Sequence, residues 1–334
     1  MNRQEIIERL RAQSQITYAQ AKMDRLHEAT ANMPAYTNSA AGGSGGGGTT
    51  PVIGLSFVVN TTDTLEFNFD FTSTGEPIAF TINWGDGTIH EDSGAGGYYE
   101  ESHTYAEVGE YTVTVTFDDP LKILEIDFPG DEDYAGISSI TNLQYLSNLQ
   151  DFRADYNHLV SVDLSGLTQL IYVDISDCEL PDSSTPSLTS VNLSGCTALD
   201  ELRLDDSDFS NGIPDLTGLT ALRRIDFDDC GITGTVDISG LPSLERFDFS
   251  QNEGLTRIII SSTQPLGDEG DELSAYDCAL TQTAVNSILV ALAANGINNG
   301  YIDLTGGTNA IPGASGLSAK TTLEGNGWGV DVNS

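Results

Sequence analysis

Between residues 52 and 117 apolar and polar positions alternate along the chain. Leu65, Phe67, Phe69 and Phe71 fall on one side of an extended segment, with Thr64, Glu66, Asn68 and Asp70 on the other. Ile78, Phe80, Ile82 and Trp84 repeat the pattern, as do Tyr111, Val113, Val115 and Phe117. A period of two belongs to half-buried strands. Turn residues at Gly85-Asp-Gly87 and Gly94-Ala-Gly-Gly97 divide these strands, so residues 52–118 are expected to form a small β-sandwich. From Leu121 a much longer period takes over. The same five-residue phrase begins at Val162, Val191, Pro214, Val236, Ile258 and Ile302, best written as Val162-Asp-Leu-Ser-Gly166, with starts 29, 23, 22, 22 and 44 residues apart. A repeat in the twenties marks a solenoid, whose coils bury their apolar edges only by stacking. Each phrase reads as the second short strand of a coil, and the last step as two periods of 22.

The two ends follow other patterns. Residues 2–33 hold neither Gly nor Pro, and Ile6, Ile7, Leu10, Ile16, Ala19, Met23 and Leu26 keep roughly helical spacing. Ile16, Ala19, Met23 and Leu26 follow the 3-4-3 spacing of a coiled-coil seam. An isolated helix of this kind is marginal in water, so it gains order by docking or by pairing with copies of itself, a trimer among the options. Residues 1–35 are therefore read as an attachment and oligomerisation segment, with Ile6, Ile7, Leu10, Ile16, Met23 and Leu26 as its contacts; the bland alternative is a frayed amphipathic tail. Residues 36–51 are a Gly/Ser-rich linker. Gly43, Gly45 and Gly48 match a dinucleotide-binding spacing there, with neither the strand before it nor the helix after it that the motif needs. Near the C-terminus, helices are expected at Thr283–Ala294 and Ala314–Glu324 and a strand at Trp328–Val332; residues 311–334 read as an α/β cap closing the solenoid. The fold class is mainly β.

Two family resemblances rest on these segments. Asn83-Trp-Gly-Asp-Gly-Thr88, His103-Thr-Tyr105 and Gly109-Glu-Tyr-Thr-Val-Thr-Val115 resemble the signature of polycystic-kidney-disease (PKD) type domains, which are immunoglobulin-like sandwiches. The resemblance covers 52–118 and implies an extracellular spacer or a sugar- or protein-binding module. It casts Trp84 as a core plug, Gly85 and Gly87 as turn residues, and His103 and Tyr105 as fixing the next strand. Leu149-x-x-Phe152-x-Ala154-x-x-Asn157-x-Leu159, together with the phrases starting at Leu170 and Leu222, fits the leucine-rich-repeat pattern. Residues 119–310 thus resemble a leucine-rich-repeat solenoid, departing from it by a second strand where many members place a helix.

Charge sharpens the functional reading. With 13 basic and 50 acidic residues the chain carries −37, while residues 1–48 carry +1, leaving −38 on the remainder. Such a surface repels nucleic acid and anionic membranes. The outward positions of the first strands are Arg153, Asp174, Arg203, Asp226 and Asp248, a candidate binding ladder; those of the second strands are Asp163, Asn192, Asp215, Asp237, Ile259 and Asp303. Stacked carboxylates repel unless screened. No cofactor is required, but calcium suits the ladder or acidic loops such as Asp131-Glu-Asp133, Asp205-Asp-Ser-Asp208 and Asp268-Glu-Gly-Asp-Glu272, none with EF-hand spacing; whether any metal binds is left open. Cys178, Cys230 and Cys278 share the Asn/Cys position of their coils and Cys196 another inward one, so all four read as buried free thiols. His27, His90, His103 and His158 are scattered, and no nucleophile motif accompanies them, so an enzyme is not expected.

The first ten residues carry charge where a signal peptide has its apolar region, and no run is long enough to insert in a membrane. Extracellular-style modules without such a signal lead to a virion-surface protein, a phage fibre or capsid-decoration element. In that reading the N-terminal helix binds a capsid or tail protein and the distal domains bind a host-surface glycan or protein. The alternatives are a bacterial cell-surface or secreted adhesin and, third, a cytoplasmic scaffold.

Overall fold

The computed structural model describes residues 54–61, 65–130, 135–178, 188–267 and 272–334. The expected N-terminal helix with Ile6, Ile7, Leu10, Ile16, Met23 and Leu26, and the acidic loops at 131–133 and 268–271, lie outside these residues. Val52–Ser334 forms one compact unit.

Six strands build the sandwich: β1 (Leu55–Asn60), β2 (Glu66–Ser73), β3 (Ile78–Asn83), β4 (Ile89–Gly94), β5 (Tyr98–Thr104) and β6 (Glu110–Phe117). Their alternation turns Phe57, Phe67, Phe69, Phe71, Phe80, Val113 and Val115 into the core. Trp84, 3% exposed, meets the rings of Phe67 and Phe69 edge-on at 6.5 and 6.1 Å. Its other neighbour is His103, stacked at 4.9 Å, with Nε2 2.8 Å from Asp86 Oδ2. The Tyr105 hydroxyl, on a ring fully buried, donates to the Trp84 carbonyl at 3.1 Å. The turn between them needs Gly85: its φ is +86°, and a Cβ there would meet the Thr112 carbonyl oxygen at 2.6 Å.

The remaining strands are β7 (Ile123–Asp127), β8 (Gly136–Thr141), β9 (Asp151–Arg153), β10 (Ser161–Asp163), β11 (Tyr172–Asp174), β12 (Ser190–Asn192), β13 (Glu201–Arg203), β14 (Arg224–Asp226), β15 (Thr233–Asp237), β16 (Arg246–Asp248), β17 (Gly254–Ile259), β18 (Glu272–Ser274), β19 (Tyr301–Leu304) and β20 (Gly329–Val332). Helices α1 (Gln282–Asn295) and α2 (Ala314–Gly325) connect the last three. Among the described residues, strands β7, β9, β11, β13, β14, β16, β18, β19 and β20 run in parallel as neighbours of one eleven-stranded sheet, which ends in β2 and β5.

That shared sheet joins the sandwich to the coils. Strand β7 pairs antiparallel with β2, Phe71 opposite Ile126, and β8 pairs antiparallel with β1, Phe57 opposite Ile140. Both sheets of the sandwich therefore run on into the first coil. Phe128 packs edge-on against Phe57 at 4.9 Å and against Phe152 of the next coil at 6.5 Å. One buried apolar cluster extends from Leu55 to Val330.

The second strands depart from the expectation. They form two separate pairs, β10 with β12 and β15 with β17, and the coil between carries no second strand. Pro214 occupies the matching place there, and without an N–H it cannot donate to a neighbouring coil. The phrase at Ile302 lies in β19, in the main sheet opposite β18, so the 44-residue step is not two second-strand periods. Helix α1 takes the crossover position in that stretch.

Turn chemistry repeats with the coils. After each first strand one residue takes a left-handed conformation: Tyr156, Asp177, Asp206, Asp229, Gln251 and Asp277, with φ from 46° to 59°. Asp tolerates this region better than most side chains, which places acidic residues at the turns for backbone reasons. The next residue points inward and ties coils together. Asn252 Oδ1 accepts from the N–H groups of Cys230 (3.2 Å) and Ile232 (2.8 Å), while Nδ2 donates to the carbonyls of Phe227, Phe249 and Ser250. Asn157 does the same work one end away. Cys178, Cys230 and Cys278 substitute a thiol that donates to the carbonyl of an earlier coil at 3.4, 3.1 and 3.1 Å. All four cysteines are free and buried.

Candidate functional site

In each three-residue first strand the central side chain enters the core and its neighbours face outward. The third positions stand in register as Asp127, Arg153, Asp174, Arg203, Asp226, Asp248, Ser274, Asp303 and Asp331. Arg153, Asp174, Arg203, Asp226 and Asp248 are thus consecutive neighbours in one row. A parallel row holds Glu125, Asp151, Tyr172, Glu201, Arg224 and Arg246.

The N-terminal half of this face is internally compensated. Arg153 Nε lies 3.0 Å from Asp151 Oδ1, and its guanidinium sits 4.6 Å above the Tyr172 ring. Tyr172 donates its hydroxyl to Asp174 at 2.8 Å, and Arg203 reaches Asp174 at 3.8 Å and Glu201 at 3.5 Å. Beyond Arg203 the row changes character: Asp226 and Asp248 are adjacent carboxylates with no cation between them in the row.

The next outward position adds Asp155, Asp205 and Asp228, and the left-handed turn adds Asp177 and Asp206. Carboxylate oxygens of Asp177, Asp205 and Asp206 all lie within 4.8 Å of one another, a spacing that a divalent cation can bridge. The loop Asp205-Asp-Ser-Asp208 stood out in the sequence, whereas Asp177 did not. Its signal was its offset: Asp177 follows Val173 by as many residues as Asp206 follows Leu202.

The outward residues of the second-strand phrases are a different population. Asp163, Asn192, Asp215 and Asp237 each accept the N–H two residues on, from Ser165, Ser194, Thr217 and Ser239, at 3.1, 3.2, 2.9 and 3.0 Å. They staple the turn that follows, as Asx-turn residues do, and do not form a row with Asp303, which lies in the main sheet.

Burial shapes the titration of the main face more than like charge does. It pushes Asp127 up to about 7 against the pull of Arg153, and Asp155 up to about 6 with help from Asp174. Asp206 is raised to about 7 by burial and then by Asp177; Asp205 and Asp248 are raised by burial and then by Asp226. A carboxyl with a raised folded-state value binds its proton more tightly in the native state than in the unfolded chain. Its stabilising effect is absent above the folded value and grows as pH falls through that value toward the unfolded one, near 4. The opposing set is Asp86, held at about 2 by Thr88 and His103 although burial opposes it, together with the lowered Asp215 and Asp237. Their contribution is lost only below about pH 4. Thermal melts should therefore give a higher Tm at pH 5 than at pH 8, by about 4–8 °C for a net gain of about 2 kcal/mol. An equal or lower Tm at pH 5 would contradict the raised values.

Residues 53–122 match the family model of the PKD domain. No curated protein matches the chain in sequence. Among solved structures, the functional domain of InlJ from Listeria monocytogenes, which includes a cysteine ladder, is similar at 20% identity with a TM-score of 0.28. The match covers 60% of this chain and 47% of that one, so the chain spans about half the length of that relative.

Proposed function

We propose that the chain is a non-enzymatic adhesion protein displayed on a surface, its outward sheet face binding a host-surface glycan or protein. The observation that carries the reading is the row from Asp127 to Asp331, which runs across one continuous sheet and apolar core. Such a row is a ladder of side chains at about 4.8 Å spacing and suits an extended partner better than a small substrate held in a cleft. The row offers Arg153 and Arg203 toward one end, and the adjacent carboxylates of Asp226 and Asp248 favour cationic groups toward the other. The PKD match at 53–122 supports the same reading, since such domains resemble modules found on extracellular proteins. Among the described residues no helix is long and apolar enough to cross a membrane.

In its finer form the proposal places the protein on a virion, as a fibre or capsid-decoration element attached through residues 1–35 to a capsid or tail protein. Immunogold labelling with an antibody against the solenoid tests both levels. Label on intact particles, lost when residues 1–35 are deleted while the body stays folded, is the expected result. Label on the bacterial cell surface would move the protein to the adhesin alternative and remove the virion. Label confined to the cell interior would overturn surface display and leave the scaffold reading.

A further inference from the structure

The edge strands of the sandwich break their own pattern. Strand β4 is the edge of the five-stranded sheet and β5 the edge of the eleven-stranded one, and the two are joined only by the turn at Gly94–Gly97. In register, His90 lies opposite Ile82 and Asp92 opposite Phe80, while Glu101 lies opposite Phe69. Cross-strand partners share a face of the sheet, and Ile82, Phe80 and Phe69 all face the core. Three chemically active side chains therefore hold inward positions on two facing edges that no hydrogen-bond ladder joins.

They also converge. One ligand atom from each of His90, Asp92 and Glu101 lies within 4.8 Å of the others. They line an open groove of about 620 Å³ whose floor includes Trp84. Glu101 is only 9% exposed, and the imidazole nearest to it, His90 Nε2, stands 3.4 Å away, longer than a good hydrogen bond. Its neighbours on β5 do not supply a cation. Tyr99 stacks on Phe71, and His103 is engaged by Trp84 and Asp86. Burial raises the Glu101 carboxyl, and Asp92 adds to the rise against His90. A nine-tenths-buried carboxylate beside a second carboxylate, with one half-exposed imidazole to share, is a donor set that a cation would balance.

We propose that His90, Asp92 and Glu101 bind one zinc-class divalent transition ion that clips the two sheet edges together. The donor set decides the class. One imidazole nitrogen and two carboxylate oxygens suit zinc and its borderline neighbours, while calcium and magnesium take all-oxygen shells. A tetrahedral site with bonds of about 2.0–2.1 Å needs ligand atoms about 3.3 Å apart; His90 Nε2 already stands 3.4 Å from Glu101, and the ligand atoms, all within 4.8 Å of one another, need close by no more than roughly 1.5 Å. A fourth position is left facing the groove. This site belongs to the sandwich and stands apart from the row on the solenoid.

The rival explanation is edge protection, since inward charges also keep edge strands from pairing with another chain. Titration of chelator-treated full-length chain with zinc, by calorimetry and by thermal melting, separates the two. The expected result is one tight equivalent, a raised Tm, and no such equivalent for calcium at the same concentration. His90→Ala, at a half-exposed position, should fold normally and lose more affinity than the roughly 10–100-fold that removal of a supporting hydrogen bond costs. Glu101→Gln should lose it as well, and Asp177→Asn/Asp206→Asn should keep it. Binding that survives His90→Ala, or no tight equivalent at all, would overturn the proposal. Metal-independent self-association of the His90 and Glu101 variants in that case would assign the residues to edge protection.

Discussion

A chain that starts at residue 119 is expected to lose its stable monomeric fold, although all of the stacked coils are retained. Removing the sandwich uncovers the edge of β7, which pairs with β2 from Ile123 to Asp127, and the edge of β8, which pairs with β1. It also strips one side of the buried Ile123, Ile126, Phe128, Ile137 and Ile140. If each loses about half its burial, at about 1 kcal/mol apiece, roughly 5 kcal/mol disappears. Domain stabilities are about 5–15 kcal/mol, and two unpaired strand edges further invite association. Size-exclusion chromatography and thermal melting of residues 119–334 provide the check. A monomer that melts where the intact chain melts would mean that the sandwich is a separable bead and that the shared sheet contributes nothing.

Replacing Asn252 by Ala is expected to cost about 3–5 kcal/mol, or a fall in Tm of about 10 °C. The side chain is fully buried and makes five hydrogen bonds to main-chain groups of two coils. Alanine leaves the N–H groups of Cys230 and Ile232 buried without that acceptor, at about 1–3 kcal/mol each. Cys230→Ala is the internal control. Its thiol donates weakly to the Leu204 carbonyl at 3.1 Å, and its removal should cost only about 1 kcal/mol. Equal effects of the two substitutions would remove Asn252 from its role as the tie between coils.

Much of the fold was legible because the alternation and the coil period are local signals. Phe67, Phe69 and Phe71 had to share a face once they lay in a strand, and Leu149, Phe152 and Ala154 had to point into a coil once the phrase repeated. The helix ends also follow from neighbouring residues: α1 begins where the Thr281 side chain accepts from the Ala284 N–H and ends where Gly296 takes a left-handed turn. The candidate row on the sheet was legible for the same reason, since residues that flank each core position must face outward. How its charges pair was not, because Arg153 binds Asp151 on its own strand while Arg203 reaches back to Asp174 on the neighbouring one. Side-chain reach, and not strand period, decides that.

What the sequence determined by itself is the alternating strands of the sandwich, the first strands of the coils, the two C-terminal helices, their facing and the buried Asn/Cys tie, all set by backbone period and by main-chain groups that must find partners within a few residues or one coil. Tertiary structure alone decided which edges meet. Nothing local tells β7 to pair with β2, or excludes the phrase at Ile302 from the second-strand row, because both depend on which sheet edge is open when the coils stack. The meeting of His90, Asp92 and Glu101 is of the same kind. Along the chain β4 reads as a polar strand, and only its place across an open edge from β5 turns those side chains toward one another.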